Sequence, residues 1–207
     1  NINQSTGQLS NNTTSYSPIN SPNSLFIYGL WAYIVDYFDG QVYKCNINSD
    51  GTFNSCTQIV ASGFTSPRGI VISNNFAYIT SDSTVTKCNI NTDGTLSVCV
   101  PTGSGFGIPL SITIFNNFAY IMDTSGNYVC SVNSFTGILT NCGPTALNVS
   151  LGRSIAFYNN IAFIGTGTAI APLWRCTLNL DGSLSGCSSV TNIPATNMIG
   201  GVSIQAF

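Results

Sequence analysis

The fold this sequence predicts is an all-β propeller, and three observations predict it. One four-strand pattern recurs four times, at a period in the low forties. Within each copy, apolar and polar residues alternate over short runs bounded by Asn-Asn and Asp-Gly, the signature of strands and hairpins. No stretch carries apolar residues at helical spacing over about ten or more positions. Four strands per unit at this period is the range of a propeller blade, whereas a solenoid of that period would be helical.

The clearest copy is SPRGIVISNNFAYITSDSTVTKCNINTDGTLSVC, residues 66–99. Its first strand opens with Pro-Arg-Gly and points Ile70 and Ile72 to one side. An Asn74-Asn75 turn leads to a second strand from Phe76 to Thr80, and a short polar loop leads to a third from Val85 to Ile90. The turn Asn91-Thr92-Asp93-Gly94 then makes a hairpin into a fourth strand that ends at Cys99. One such sheet cannot bury both of its faces, so it gains a core only by repetition.

Each element recurs in order. The first strand appears as SLFIY, GIVIS, SITIF and SIAFY, and the second as LWAYIV, NFAYIT, NFAYIM and NIAFIG. The third strand and its hairpin appear as VYKCNINSDGTFNSC, VTKCNINTDGTLSVC, YVCSVNSFTGILTNC and WRCTLNLDGSLSGC. Complete blades are therefore expected at about 21–58, 64–100, 106–143 and 150–188. A fifth is expected to be split between the termini. Residues 1–12 match the hairpin, with Ile2 and Leu9 as its apolar positions. Residues 201–207 match a lone first strand carrying Val202, Ile204 and Phe207, and no counterpart of the second strand is present. The two pieces could close a ring within one chain, exchange between copies into a head-to-tail polymer, or belong to a longer chain. An unpaired inner strand is an edge that must be covered in one of these ways.

The motif P-x-G-I-x-x-S-N-N-x-A-Y-I-T, followed by a V-x-x-C-x-I-N hairpin, resembles the YVTN-type β-propeller repeat, related to lactonase-like and surface-layer propellers. The resemblance covers about residues 21–190. It implies the fold and leaves function open, because propellers host unrelated activities. A cysteine pair in every repeat departs from the family pattern.

The eight cysteines fall into four pairs across their own hairpins: Cys45 with Cys56, Cys88 with Cys99, Cys130 with Cys142 and Cys176 with Cys187. Counting inward from both ends of the hairpin sets each pair opposite one another, inside the ~4.4–6.8 Å Cα range that a disulfide needs. Zinc is the weaker reading, since pairs of cysteines without His fit no finger or ribbon spacing. Four disulfides predict an oxidising, extracellular or cell-surface location. Lys44, Lys87 and Arg175 fall in register on the strand face away from the sulfurs, where basic stems lie on apolar surface.

Composition narrows function mainly by exclusion. Charged residues make up 6% of the 207, the net charge is −2, and there is no His. All seven acids are Asp. No cationic footprint for nucleic acid exists, and no apolar run approaches the ~18–20 residues of a transmembrane helix. The start at Asn1 suggests a processed, mature form. A lactonase-like site would draw on His, Glu and metal-binding carboxylates, which this composition does not offer, so no catalytic residue, metal or cofactor is expected. The Asp50, Asp93 and Asp181 turns invite calcium, but Asp-Gly is also the preferred hairpin chemistry.

One constellation stands apart. Arg68 and Arg153 share a repeat position just before the first strand, and Asp36 and Asp123 close the second strand, with Asp82 one place further on. These five should gather at one mouth of the propeller, away from the Asp-Gly hairpins. They form either a polar pocket for a small ligand or glycan, or, as the favoured reading, Asp–Arg pairs that fix the loops. Sequons at Asn3, Asn11, Asn12 and Asn148 offer glycosylation sites. Together these features predict a secreted structural or surface protein that self-assembles through its split blade, its partner being itself. The alternative is a monomeric extracellular module that binds glycan at the mouth.

Overall fold

A computed structural model describes residues 19–59, 64–145, 149, 152–168 and 173–191. The described residues form sixteen strands and no helix. Blade 1 holds β1 (Pro22–Tyr28), β2 (Trp31–Asp36), β3 (Gln41–Ile47) and β4 (Phe53–Gln58). Blade 2 holds β5 (Pro67–Ser73), β6 (Phe76–Ser81), β7 (Thr84–Ile90) and β8 (Leu96–Thr102). Blade 3 holds β9 (Pro109–Phe115), β10 (Phe118–Asp123), β11 (Asn127–Val132) and β12 (Leu139–Pro144). Blade 4 holds β13 (Gly152–Tyr158), β14 (Ile161–Thr166), β15 (Leu173–Leu178) and β16 (Leu184–Ser189).

Each blade is an antiparallel meander in chain order. The blades are arranged as in a propeller. First strands β1, β5, β9 and β13 lie side by side in sequence, and the sheets do not close into a ring among the described residues. The termini proposed as a split blade, with Ile2, Leu9, Val202, Ile204 and Phe207, lie outside the described residues, as do sequons Asn3, Asn11, Asn12 and Asn148. No helix of the described residues is long and apolar enough to cross a membrane.

The core lies between blades. Tyr33, Val35 and Val42 of blade 1 pack with Ile70, Ile79 and Cys88 of blade 2. Val71, Tyr78 and Val85 of blade 2 pack with Ile112, Ile121 and Cys130 of blade 3, and Tyr120 and Met122 continue the pattern to Ile155, Ile164 and Cys176. The second strands are continuous apolar runs, Ala32–Val35, Ala77–Ile79 and Ala119–Met122, so successive side chains make both faces of the sheet apolar and only a neighbouring sheet buries them.

A polar latch crosses each of these interfaces. The hydroxyls of Tyr33, Tyr78 and Tyr120 donate to the carbonyls of Gly94, Gly137 and Gly182 in the next blade's hairpin, at 2.8, 2.9 and 2.9 Å. Beside each tyrosine an aromatic residue, Trp31, Phe76 or Phe118, lies flat under the same glycine. A Cβ there would come within 2.5–2.8 Å of the ring. Lys44 and Lys87 cap the rings of Trp31 and Phe76 at 5.2 and 4.3 Å, and Lys44 Nζ also donates to Asp93 O at 2.6 Å. Burial pushes the Lys87 ammonium below its ordinary pKa.

All four cysteine pairs are disulfide-bonded, with Cα atoms 3.9–4.1 Å apart. That is closer than the expected range, and the reason is a bulge. The ladder steps from Lys44↔Thr57 to Asn46↔Asn54, so Cys45 faces both Ser55 and Cys56 rather than Cys56 alone. The same step recurs at Cys88, Cys130 and Cys176. The residue before each second cysteine then takes positive φ: Ser55 +46°, Val98 +47°, Asn141 +51° and Gly186 +57°.

Candidate ligand site at the mouth

A second set of bulges builds the mouth. In each first strand the ladder skips one residue: the register passes from Pro22 to Ser24, Pro67 to Gly69, Pro109 to Ser111 and Gly152 to Ser154. The skipped residues are Asn23, Arg68, Leu110 and Arg153. A bulged residue leaves the pairing plane and is re-aimed, and all four line one cavity of about 530 Å³. Tyr37, Ser21, Ser24, Gly69, Ser111 and Ser154 complete its wall.

Arg68 and Arg153 thus line one cavity. Arg68 lies 5.0 Å from the centre of the Tyr37 ring and donates to Ser66 O at 3.2 Å and Tyr37 Oη at 3.4 Å. Arg153 is exposed, and Gly167 leaves room for it: a Cβ there would meet Arg153 Nε at 2.9 Å. Crosslinks between blades hold the wall. Asn23 Nδ2 donates to Arg68 O at 2.7 Å, and the amide of Ile70 donates to Ser24 Oγ at 3.3 Å.

The carboxylates do something else. Asp36 and Asp123 are both fully buried at the ends of β2 and β10. Asp36 Oδ2 accepts from the amides of Asn20 and Ser21 at 2.6 and 2.9 Å, and Oδ1 from those of Phe38 and Asp39 at 3.1 Å each. Burial works against its charge, yet the amides of Ser21, Asp39, Asn20 and Phe38 outweigh it and hold the carboxyl below its ordinary pKa. Asp123 Oδ1 accepts from Ser125 N and Oγ, both at 2.7 Å, while its Oδ2 is buried without a partner. Asp82 is exposed in the β6–β7 turn at φ +33°. The favoured Asp–Arg pairs are therefore absent: among the described residues no ion pair joins these acids to Arg68 or Arg153, because backbone amides and Ser125 already engage the buried carboxylates. None of Asp36, Asp82 and Asp123 lines the cavity.

Sequence reading missed Asn23, Leu110 and the serines Ser24, Ser111 and Ser154, although the repeat register that found the arginines contains them. At the far end of the strands, Asp50, Asp93 and Asp181 accept from the amide and hydroxyl of Thr52, Thr95 and Ser183. No cluster of three or more His, Cys, Asp or Glu able to hold a metal occurs among the described residues.

No family model and no curated protein matches the chain. Solved structures do. A candidate 6-phosphogluconolactonase from Bacteroides uniformis superposes with a TM-score of 0.69 at 17% identity, over 94% of this chain and 65% of its own. A protein of unknown function from Desulfotomaculum acetoxidans gives 0.63 at 19% identity, over 80% and 55%. The computationally designed Ika4 protein gives 0.55 at 16% identity, over 88% and 99%. These likenesses show a lactonase-like propeller fold and nothing further. The chain spans 65% and 55% of the two natural neighbours.

Proposed function

We propose that this protein is a secreted structural propeller of the YVTN type that assembles with copies of itself, the join falling on the outer face of blade 1. One observation carries the reading. Leu25 and Ile27 of β1 are each 48% exposed, whereas Ile70 and Ile72, their counterparts in β5, are 4% and 6% exposed beneath blade 1. Among the described residues, blade 1 thus presents uncovered the surface that its repeats bury. Its hairpin is equally bare, since nothing approaches Gly51 within 4 Å where Gly94, Gly137 and Gly182 each meet a ring. In this reading the split fifth blade of another copy fills the position. An exposed apolar face of this kind invites association, and the disulfides suit assembly in an oxidising, extracellular setting.

Light scattering after chromatography tests the reading under dilute, non-reducing conditions. Assemblies that Leu25→Asp with Ile27→Asp disperse are expected. A monomer of 21.8 kDa at every concentration would overturn the reading, because it would place closure within one chain.

A further inference from the structure

The mouth carries a charge imbalance that assembly does not use. Its two guanidinium groups lack an acidic partner among the described residues. Arg68 is engaged by a carbonyl and a phenol, and Arg153 has no hydrogen bond to any described residue. The neighbouring acids turn to other donors, so the cavity keeps both positive charges in a chain whose net charge is −2. A second observation is independent of charge. Ser111 Oγ is buried in the cavity wall with no hydrogen-bond partner, a state that native structures rarely leave unfilled.

From these groups we infer that the mouth binds a carboxylate-bearing saccharide, a hexuronic acid unit, by its acid group and its hydroxyls together. The chemistry follows from the wall. A guanidinium offers a planar fork that matches the two oxygens of a carboxylate, which a point-charge ammonium does not. Asn23 and the serines at equivalent positions of β1, β9 and β13 supply short neutral donors and acceptors suited to sugar hydroxyls. Tyr37, held under Arg68, adds its phenol oxygen to the polar groups of the wall. A volume of about 530 Å³ fits one or two sugar units, within the ~300–1,000 Å³ usual for small-molecule sites. Because the four blades each contribute one bulged residue, the site is a property of the arc and stands whether or not copies assemble.

Titration of the full chain with sodium glucuronate, followed by calorimetry or amide chemical shifts, tests the inference, with glucose and inorganic phosphate as controls. Saturable binding of glucuronate is expected, at least tenfold tighter than glucose or phosphate and weakened by added salt. Arg153→Gln should weaken it at least tenfold without moving the melting temperature, since Arg153 supports no described neighbour. Ser111→Ala should weaken it by a smaller factor. Absence of saturable glucuronate binding would overturn the proposal, as would unchanged affinity in Arg153→Gln. Equal binding of phosphate would also overturn it, by reducing the mouth to an unspecific anion site. Should Arg68→Gln disturb folding through Tyr37, the Arg153→Gln result still decides.

Discussion

The hydroxyl of Tyr78 donates to the carbonyl of Gly137, a residue 59 positions further along the chain and one blade away, at 2.9 Å. Burial pushes this phenol up to about 12, and Tyr33 likewise to about 12, by burial first and then by the nearby Tyr28 and Asp93 charges. Tyr78→Phe should cost about 1–2 kcal/mol in chemical denaturation, since it removes the bond and leaves a buried carbonyl unpaired. The sign with pH is fixed. A raised folded pKa means stability is intact below about 10, where the free phenol titrates, and falls as pH rises toward 12. Tyr78→Phe should make the fall between pH 10 and 12 shallower, and unchanged alkaline sensitivity would refute this role.

Glycines at equivalent hairpin positions should differ in tolerance. Gly137→Ala places a Cβ 2.7 Å from the Phe76 ring at φ +72°, whereas Gly51→Ala at φ +82° meets nothing within 4 Å. The expected loss at Gly51 is about 1–2 kcal/mol of backbone strain. Gly137→Ala should lose more, as the ring must shift as well. Thermal melts of the two variants check the order.

Val98 is a β-branched residue at φ +47°, and it is 65% exposed, so its side chain gains little from burial. The same bulge position holds Asn141 in blade 3 and Gly186 in blade 4, residue types that adopt this conformation readily. Val98→Asn should stabilise the protein by about 1 kcal/mol, visible as a higher denaturation midpoint at unchanged slope.

Asp36→Asn keeps one acceptor oxygen but sets an amide against two of the four backbone N–H groups now bonded to the carboxylate. A loss of about 2–3 kcal/mol is expected. With its folded pKa lowered, Asp36 contributes stability above about pH 4, lost as pH falls through the folded value. Acid denaturation should therefore be less steep in Asp36→Asn than in the parent.

Replacing Cys88 and Cys99 together by Ala opens a cross-link of sequence separation 11 and should cost about 3 kcal/mol through the freedom returned to the unfolded chain. A matching loss on full reduction of blade 2 alone, followed by mass-mapped thiol labelling, provides the check.

Much of this architecture is legible in sequence because its causes are local. Asn74-Asn75 and Asn116-Asn117 are left-handed pairs, the conformation that two-residue hairpins demand. The alternation around Ile70 and Ile72 fixes which face meets blade 1. What escaped reading belongs to pairs of strands. A bulge exists only relative to a partner, so neither the offset of Cys45 from Cys56 nor the turning-out of Arg68 and Arg153 can be counted along one strand. Asp36 and Asp123 looked like natural partners for arginine because charge is visible in sequence, whereas the amides that occupy Asp36 are not. The latch tyrosines lay in plain view in the A-Y of the second strand, but a hydroxyl's partner one blade away leaves no local trace.

The latch also gives the arc a direction. Every donor hydroxyl sits in the earlier blade and every acceptor carbonyl in the later one, and the series stops at blade 4, where Phe163 and Ile161 stand in place of the tyrosine and the ring. Each latch tyrosine is therefore bonded to protein only where the following blade packs on its own. Loss of blade 1 would return the Gly94 carbonyl to water and bare Ile70 and Ile72, while loss of blade 4 would return the Tyr120 hydroxyl to water and bare the Phe118 ring.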